Sequence, residues 1–469
     1  MLIKLFPSLE NNKLISLINK FFYSYYYLGF IALLTALTCL FGFEMITFYL
    51  YVLCGGLIPC LFCKDMTPVF APLGMAYSSI SLYANNSVKG KSLFGDRWYQ
   101  LYILIALIVL VIGTRFIFEL VTNKEKRHYR PYLLPGYLAF GVALMTAGLG
   151  SQYYSLREFT FGLVEFLALF GCYFLLMYLI DWKNIKKDYY AWLVLFYGLA
   201  IAVEVFVLRT LSGGSRVRTG WGINNNIAGQ LCICIAGPMY LAIKNKWAPI
   251  YLVIAGIILL AIGVTNSRNG SLMGMIIALG SFAIYLVKVD KRKRIAGISL
   301  MVLATVLFTA FVFIFPDLFE ATFGRLLRGE KGNPVGLTGR DRIWTLAYNN
   351  FINNPSFGSG WYQCKLGRSD YFTYSFIPGR YHNTFFQLIG AMGLFGLITY
   401  IYHRYQTIKM TFKKPTLEKT FGFISIGGLL LTSIFDCHFF NLGPGLNYCI
   451  ALAFIEGLNI KQESEYNNQ

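Results

Sequence analysis

Two apolar runs, APIYLVIAGIILLAIGV (Ala248 to Val264) and SLMGMIIALGSFAIYLV (Ser271 to Val287), are joined by the polar turn Thr265-Asn266-Ser267-Arg268-Asn269-Gly270. Each run is close to the ~20 residues a helix needs to cross the hydrocarbon core of a bilayer, and neither carries a charge. In lipid every backbone N–H and C=O must be satisfied within the segment, so such runs read as spanning helices rather than core strands.

The same pattern recurs along the chain. Runs of this kind cover Phe21 to Phe43, Met45 to Cys63, Trp98 to Val121, Tyr132 to Gly150, Phe159 to Ile180, Tyr189 to Leu208, Ile227 to Ile243, Ala296 to Phe315, Asn383 to Tyr402, Phe421 to Phe435 and Leu446 to Ile460. Thr67 to Tyr83 either crosses or re-enters. Crossing is favoured, because it puts both termini and every basic cluster on one side. Hydrophobic residues make up 56% of the chain and charged residues 13%, against roughly 25% charged in soluble domains. The expected fold is therefore an all-α polytopic membrane protein with about 12–14 transmembrane helices. Its expected organisation is an N-terminal bundle (residues 1–315), one large extracytoplasmic loop (316–381), and C-terminal helices with a cytoplasmic tail (382–469).

The net charge is +19, but it does not point to nucleic acid. The cations sit in short clusters between apolar runs, not along one amphipathic face. Lys124 to Arg127, Lys183 to Lys187, Lys244 to Lys246, Lys288 to Arg294 and Arg404 to Lys419 alternate with poorly charged connections, which makes them cytoplasmic by the positive-inside rule. The cysteines lie mostly within apolar runs, where a thiol behaves as a small hydrophobe. Cys60-Leu61-Phe62-Cys63 lacks the second pair or histidine of a zinc site. Cys364 and Cys437 fall outside the spans, and a bridge between them is one option.

On this topology several arginines lie on the outer side, against the charge rule, and an anionic ligand is the simplest reason for them. Arg216 and Arg218 precede Thr219-Gly220-Trp221-Gly222 and a run of asparagines that leads into a helix. The asparagines suit capping, and an arginine beside glycines and a helix N-terminus also suits a phosphate. Arg268 stands in the first turn of a helix, where the dipole prefers anions; a bound anion or snorkelling to headgroups would account for it. Arg340 either meets a ligand or pairs with Asp341. Ile343, Leu346, Ala347 and Phe351 have the spacing of a short amphipathic helix within the loop.

His382 follows Arg380 and precedes Asn383 where an apolar run resumes. Imidazole is the side chain whose unperturbed pKa suits removing a proton from a hydroxyl near neutral pH. Of the other histidines, His128 and His403 are read as lying in basic connections, and His438 has no comparable setting. Glu165 and Glu204 lie within spans near the outer end, and pairing with the outer arginines is the economical reading of such costly groups. No two acidic residues are adjacent and no outer Asp-x-Asp occurs, so no carboxylate cage for a divalent metal is expected. Walker-type and dinucleotide glycine motifs are absent as well.

Arg218-x-Gly220 leading into Asn224 to Asn226, Thr265-Asn266-Ser267-Arg268, Thr338-Gly339-Arg340 with Trp344, Asn354-Pro355-Ser356-Phe357-Gly358-x-Gly360, and His382-Asn383 with Gly390, Gly393 and Gly396 resemble the O-antigen ligase/polymerase superfamily. The resemblance runs from about Arg218 to Tyr402. Asn225 stands where the family often has proline. The resemblance implies a GT-C-like, metal-independent glycosyltransferase without a cofactor, in a bacterial cytoplasmic (inner) membrane, with its site on the extracytoplasmic face. It further implies an undecaprenyl-diphosphate-linked oligosaccharide donor and a glycan or lipid-glycan acceptor, in contact with membrane lipid and other polysaccharide-assembly proteins. Arg218 and Arg268 would hold the diphosphate, His382 would activate the acceptor hydroxyl for inverting attack, and Arg340 matches a further family position. Arg216 joins the diphosphate set; Glu204, Glu165, Asn383 and Arg380 are supporting candidates. Ligase and polymerase are not separated by these residues. A flippase or transporter of lipid-linked sugar is the alternative, although transporters usually carry repeated halves with charges near the midplane.

Overall fold

The computed structural model describes residues 1, 12–75, 98–212, 218–219, 222–317, 319–320, 323, 340–364 and 378–467. Helices dominate them: α1 (Lys13–Phe22), α2 (Tyr25–Phe41), α3 (Ile46–Phe62), α4 (Trp98–Thr122), α5 (Leu134–Met145), α6 (Leu156–Leu179), α7 (Tyr189–Ser212), α8 (Asn224–Lys244), α9 (Ala248–Val264), α10 (Arg268–Lys288), α11 (Lys291–Ile314), α12 (Arg340–Asn353), α13 (Thr384–Phe412), α14 (Leu417–Thr432) and α15 (Leu442–Asn467). Two two-residue strands, β1 (Arg218–Thr219) and β2 (Gly222–Ile223), form an antiparallel hairpin ahead of α8. Among the described residues, α6, α7, α8, α10, α11 and α13 are long and apolar enough to cross a membrane. The pair α1 and α2 is bent by 66°, and α3, α5 and α9 are shorter apolar helices. The chain is an all-α polytopic membrane protein.

Interruptions explain why several apolar runs are not single straight spans. α3 carries a π turn at Val52–Leu57 and α6 another at Leu167–Gly171. Helix packing relies on small residues, as expected where lipid removes the hydrophobic drive between helices. A methyl group at Gly428 of α14 would lie 2.9 Å from the carbonyl oxygen of Cys232 in α8, and one at Gly237 of α8 would lie 2.5 Å from that of Ala191 in α7.

The helices have two chemically distinct ends. At one end Lys244 pairs with Glu418 (3.2 Å), Lys187 with Glu465 (3.0 Å), Lys183 with Glu125 (2.6 Å), Lys413 with Glu463 (3.2 Å) and Lys126 with Glu119 (3.1 Å). Lys293 also donates to the carbonyl of Ile243 at 3.0 Å. These contacts gather the C-terminus of α8 and the N-termini of α11 and α14 with the C-termini of α13 and α15. The start of α8, the start of α10, the start of α13 and the end of α14 therefore lie at the other end.

Of the loop between α11 and α13, the described residues 340–364 are built into the bundle. α12 forms at its expected position and packs on α13, where a methyl group at Gly390 would be 3.0 Å from the Ala347 Cβ. The Asn354 to Gly360 turn fills a break in α13 at Gly393, whose φ is 63°. Leu394 and Phe395 donate to the carbonyls of Pro355 (2.8 Å) and Ser356 (3.0 Å), while Ser359 and Gly360 donate to those of Gly390 (2.9 Å) and Ala391 (3.1 Å). Only glycine suits position 393, because the left-handed φ disfavours any Cβ and a Cβ there would be 2.6 Å from three backbone atoms of this turn.

Two sequence readings need correction. His403 and Arg404 do not lie in a basic connection, because α13 continues to Phe412. His403 is fully buried, 3.0 Å from the Tyr448 hydroxyl. The Arg404 guanidinium lies 4.4 Å from the ring centres of Tyr400 and Phe439 and 4.7 Å from that of Tyr448, a cation–π setting that holds the charge without a carboxylate. Cys364 and Cys437 are both free, buried thiols. The Thr67 to Tyr83 run begins as a 3-10 turn at Thr67–Val69 and passes into helix; from residue 76 it lies outside the described residues.

Candidate functional site

His382 sits one residue ahead of the Asn383 cap of α13. The Asn383 side chain accepts from Phe386 N–H at 3.1 Å and donates to the Ile434 carbonyl at 2.6 Å, so it fixes where the helix begins. The residue before it is forced into a left-handed conformation: His382 has φ 53°, a region that costs a non-glycine residue on the order of 1–3 kcal/mol. The neighbouring residue supplies restraint. Tyr381 is fully buried, receives Trp344 Nε1–H on its carbonyl (3.0 Å), donates its own N–H to Gln387 Oε1 (3.1 Å), and accepts Asn350 Nδ2 on its hydroxyl (2.7 Å).

The His382 Nδ1 lies 3.2 Å from Asp436 Oδ1. Asp436 follows α14 and is nearly buried, with its side chain 9% exposed against 42% for His382. Its Oδ1 also accepts the Cys437 N–H at 2.8 Å, and its Oδ2 faces Asn225 Nδ2 at 3.3 Å. Burial alone would push this carboxyl up. The hydrogen bond with His382, the neighbouring His438 and His382 rings, and the Cys437 N–H outweigh it and hold the group well below the usual carboxylate range. Asp436 is therefore ionised and oriented on the imidazole.

From Asp436 a chain of polar contacts reaches the helix that begins with Arg268. Asn225 Oδ1 accepts the Ser267 hydroxyl at 2.9 Å, and Ser267 Oγ in turn accepts Gly270 N–H at 3.2 Å, capping α10. Asn266 completes the sharp turn with φ 56°, a conformation asparagine tolerates better than most residues. Asn269 Nδ2 donates to the Thr432 carbonyl at 2.8 Å, and Thr384 N–H to that of Ser433 at 3.1 Å. The beginnings of α8, α10 and α13 and the end of α14 thus meet around His382 and Asp436.

The remaining sequence candidates are distributed as follows. Arg268 is exposed as the first residue of α10, and Arg340 is half-buried as the first residue of α12. Arg218 has its main chain described in β1, opposite Ile223, two residues before Asn225; Arg216 lies outside the described residues. Glu165 pairs with Arg380 at 3.0 Å. That guanidinium also donates to the Phe440 carbonyl at 2.9 Å and lies 5.5–5.8 Å from the rings of Phe161, Trp361 and Phe440. Arg380 and Glu165 therefore tie the residues ahead of α13 to α6. Glu204 is fully buried in α7.

Sequence reasoning missed Asp436, Asn225 as its bridge to Ser267, and His438. His438 is fully buried against Gly229, and among the described residues neither ring nitrogen has a hydrogen-bond partner. Burial pushes its imidazole down, with Asp436 opposing and His382 and Arg340 reinforcing the shift, so His438 is neutral beside the dyad. The available signal was Asp436-Cys437-His438 itself, an acid and an imidazole in an otherwise poorly charged connection.

An imidazole oriented by an ionised carboxylate can accept a proton from a hydroxyl. Arginines at helix starts can meet an anion. No curated protein matches the chain. Residues 250–401 match the family described as O-antigen ligase, a stretch that runs from α9 into α13 and includes Arg268, Arg340 and His382. The match covers about a third of the chain and supports its likeness to the O-antigen ligase/polymerase superfamily over that stretch.

Proposed function

We propose that this protein transfers glycan from an undecaprenyl-diphosphate carrier to an acceptor hydroxyl at the outer face of a bacterial cytoplasmic membrane, with inversion and without a metal. The observation that carries the reading is the His382–Asp436 contact, joined through Asn225 and Ser267 to the start of the Arg268 helix. The family match, which extends to lipid-linked glycan chemistry only in its general class, supports it.

With Nδ1–H donated to Asp436, the lone pair on Nε2 is the one available to the acceptor. As the acceptor oxygen attacks the anomeric carbon, its proton passes to Nε2. The bond between that carbon and the diphosphate oxygen breaks, and the electron pair leaves with the carrier diphosphate. Attack opposite the leaving group inverts the centre. Negative charge grows on the departing diphosphate, so guanidinium groups of Arg218, Arg268, Arg340 and Arg216 would stabilise the transition state more than the ground state. Arg380 and Glu165 would hold the loop, Asn383 the position of His382, and Glu204 the α7 face. The lysine-rich end, with its carboxylate partners, would face the cytoplasm.

Purified protein given a synthetic carrier-linked oligosaccharide and an acceptor glycan is the direct trial, run with and without EDTA. Transfer should fall by on the order of a hundredfold or more in H382A and in R268A, and should be indifferent to EDTA. Unchanged transfer in both variants would overturn the mechanism.

A further inference from the structure

Arg404 is an arginine inside a spanning helix, and the transfer step described above makes no use of it. An ionisable group at membrane depth is costly, and where one is kept it serves a partner within the bundle. α13 places Arg404 among rings, with its guanidinium 4.4 Å from the ring centres of Tyr400 and Phe439 and 4.7 Å from that of Tyr448. Its Nη1 donates to the Tyr448 hydroxyl, and no carboxylate pairs with it among the described residues. A methionine would fill much of the same volume without desolvating a charge. What only the cation adds is an attraction that draws three ring faces toward one point.

Phe439 connects this cage to the site. It lies in the connection between α14 and α15 that also carries Asp436, and it is buried. Its ring centre is 5.2–5.9 Å from those of Phe140, Tyr400, Phe440 and Tyr448. The next residue, Phe440, is held by a second arginine. Arg380 donates to its carbonyl at 2.9 Å, lies 5.8 Å from its ring centre, and is itself anchored on Glu165 at 3.0 Å. Two arginines, one just ahead of α13 and one within it, thus grip adjacent phenylalanines of a single connection.

That connection has reason to be gripped. Asp436 stands outside any helix, yet its carboxylate must stay within reach of His382 Nδ1, at 3.2 Å. The Cys437 N–H and Asn225 orient the carboxylate, while the main chain that carries it is fixed by what its neighbours pack against. Displacing a supporting element by about 1 Å can cost on the order of a hundredfold in rate.

We propose that Arg404 is a positioning residue for glycan transfer: its cation–π contact with Phe439 fixes the Asp436 connection, and with it the carboxylate that orients His382. The inference rests on the function proposed above and adds to it a group that touches neither substrate nor the reacting atoms. Arg404 acts on the site through Phe439, from inside the membrane.

The test uses two single variants of the full-length reconstituted protein, R404M, which removes the cation, and F439L, which keeps the cation and removes the ring. The first readout needs no substrate. Cys437, a buried free thiol beside Asp436, is alkylated with N-ethylmaleimide and followed by mass spectrometry, with the buried Cys232 of α8 as the control. In both variants alkylation should speed up about tenfold at Cys437 and by less than about twofold at Cys232. Equal acceleration at both thiols would mean general loosening and would overturn the positioning role. The second readout is transfer from a carrier-linked oligosaccharide. Each variant should lose about 10–100-fold in kcat with KM within about twofold of wild type, and adding D436N should cost no more than about a further twofold. Losses that multiply with that of D436N, or a loss confined to KM, would overturn the proposal. Wild-type kcat with a protected Cys437 in both variants sinks the clamp and leaves glycan transfer standing. Absence of transfer by the wild-type protein sinks the functional reading, while the alkylation pattern still decides whether Arg404 holds the connection.

Discussion

The two ends of the helix bundle handle charge in opposite ways. At the lysine-rich end, Lys126, Lys183, Lys187, Lys244 and Lys413 each meet a carboxylate within 2.6–3.2 Å. Most are surface pairs and contribute about 0–1 kcal/mol each. At the other end two largely buried carboxylates pair with a cationic or imidazole partner, Asp436 with His382 and Glu165 with Arg380, and Glu158 accepts the main-chain N–H groups of Trp361 and Tyr362. Apart from one buried pair, Arg115 with Glu119 at 2.8 Å, the first end spreads many weak, replaceable contacts over flexible lysines. The second concentrates a few buried, directional ones around a histidine held in a disfavoured backbone conformation. Strain retained by dense local restraint is a mark of functional sites, and substitutions should separate the two ends accordingly.

The largest effect should come from His382. H382A removes the proton acceptor, and transfer in a purified assay should fall by about 10²–10⁴-fold, with a stability loss of the same order as that of D436N, because the nearly buried Asp436 carboxylate loses its imidazole partner. R268A should follow at about 10²–10³-fold, with the loss concentrated in kcat if the guanidinium acts on the leaving diphosphate. A loss confined to KM would mean uniform binding instead.

D436N is expected to show both a catalytic and a stability phenotype. The folded-state pKa of Asp436 is depressed, so its stabilising contribution is fully present above the unfolded value of about 3.9, declines as pH falls from there, and is gone only below the depressed folded value. At neutral pH the variant should be destabilised by about 1.5–3 kcal/mol, the range for hydrogen bonds to a charged group. Thermal melts of the two proteins should converge as the pH drops below about 4. A difference that stays constant or grows from neutral pH into acid would show that the carboxylate is not ionised in the fold. Smallest of all should be K183A at the opposite end, with transfer within about twofold of wild type and stability within about 1 kcal/mol; a larger loss would break the contrast between the ends.

How much of this was legible in the chain depends on the range of the interaction. The spans were legible because hydrocarbon thickness acts on consecutive residues, as in Ala248–Val264. α12 was legible because Ile343, Leu346, Ala347 and Phe351 repeat with the helical period. His382 was legible as an imidazole where apolar sequence resumes. Asp436 was not, since it lies on another helix end and acquires meaning only when α13 and α14 are side by side. The break at Gly393 was hidden for the same reason: its partners are backbone atoms of Pro355, Phe357 and Gly358, and backbone hydrogen bonds leave little trace in side-chain patterns. His403 and Arg404 were misplaced because charge suggested a connection, whereas an aromatic cage keeps them within α13.

The most direct measurement is a double-mutant cycle on transfer rate with H382A, D436N and the double variant, all in the same reconstituted assay. If Asp436 acts by orienting His382, the double variant should be no slower than H382A alone, because residues acting as a unit are strongly non-additive. Losses that multiply, or wild-type transfer in H382A, would contradict a shared role for the pair.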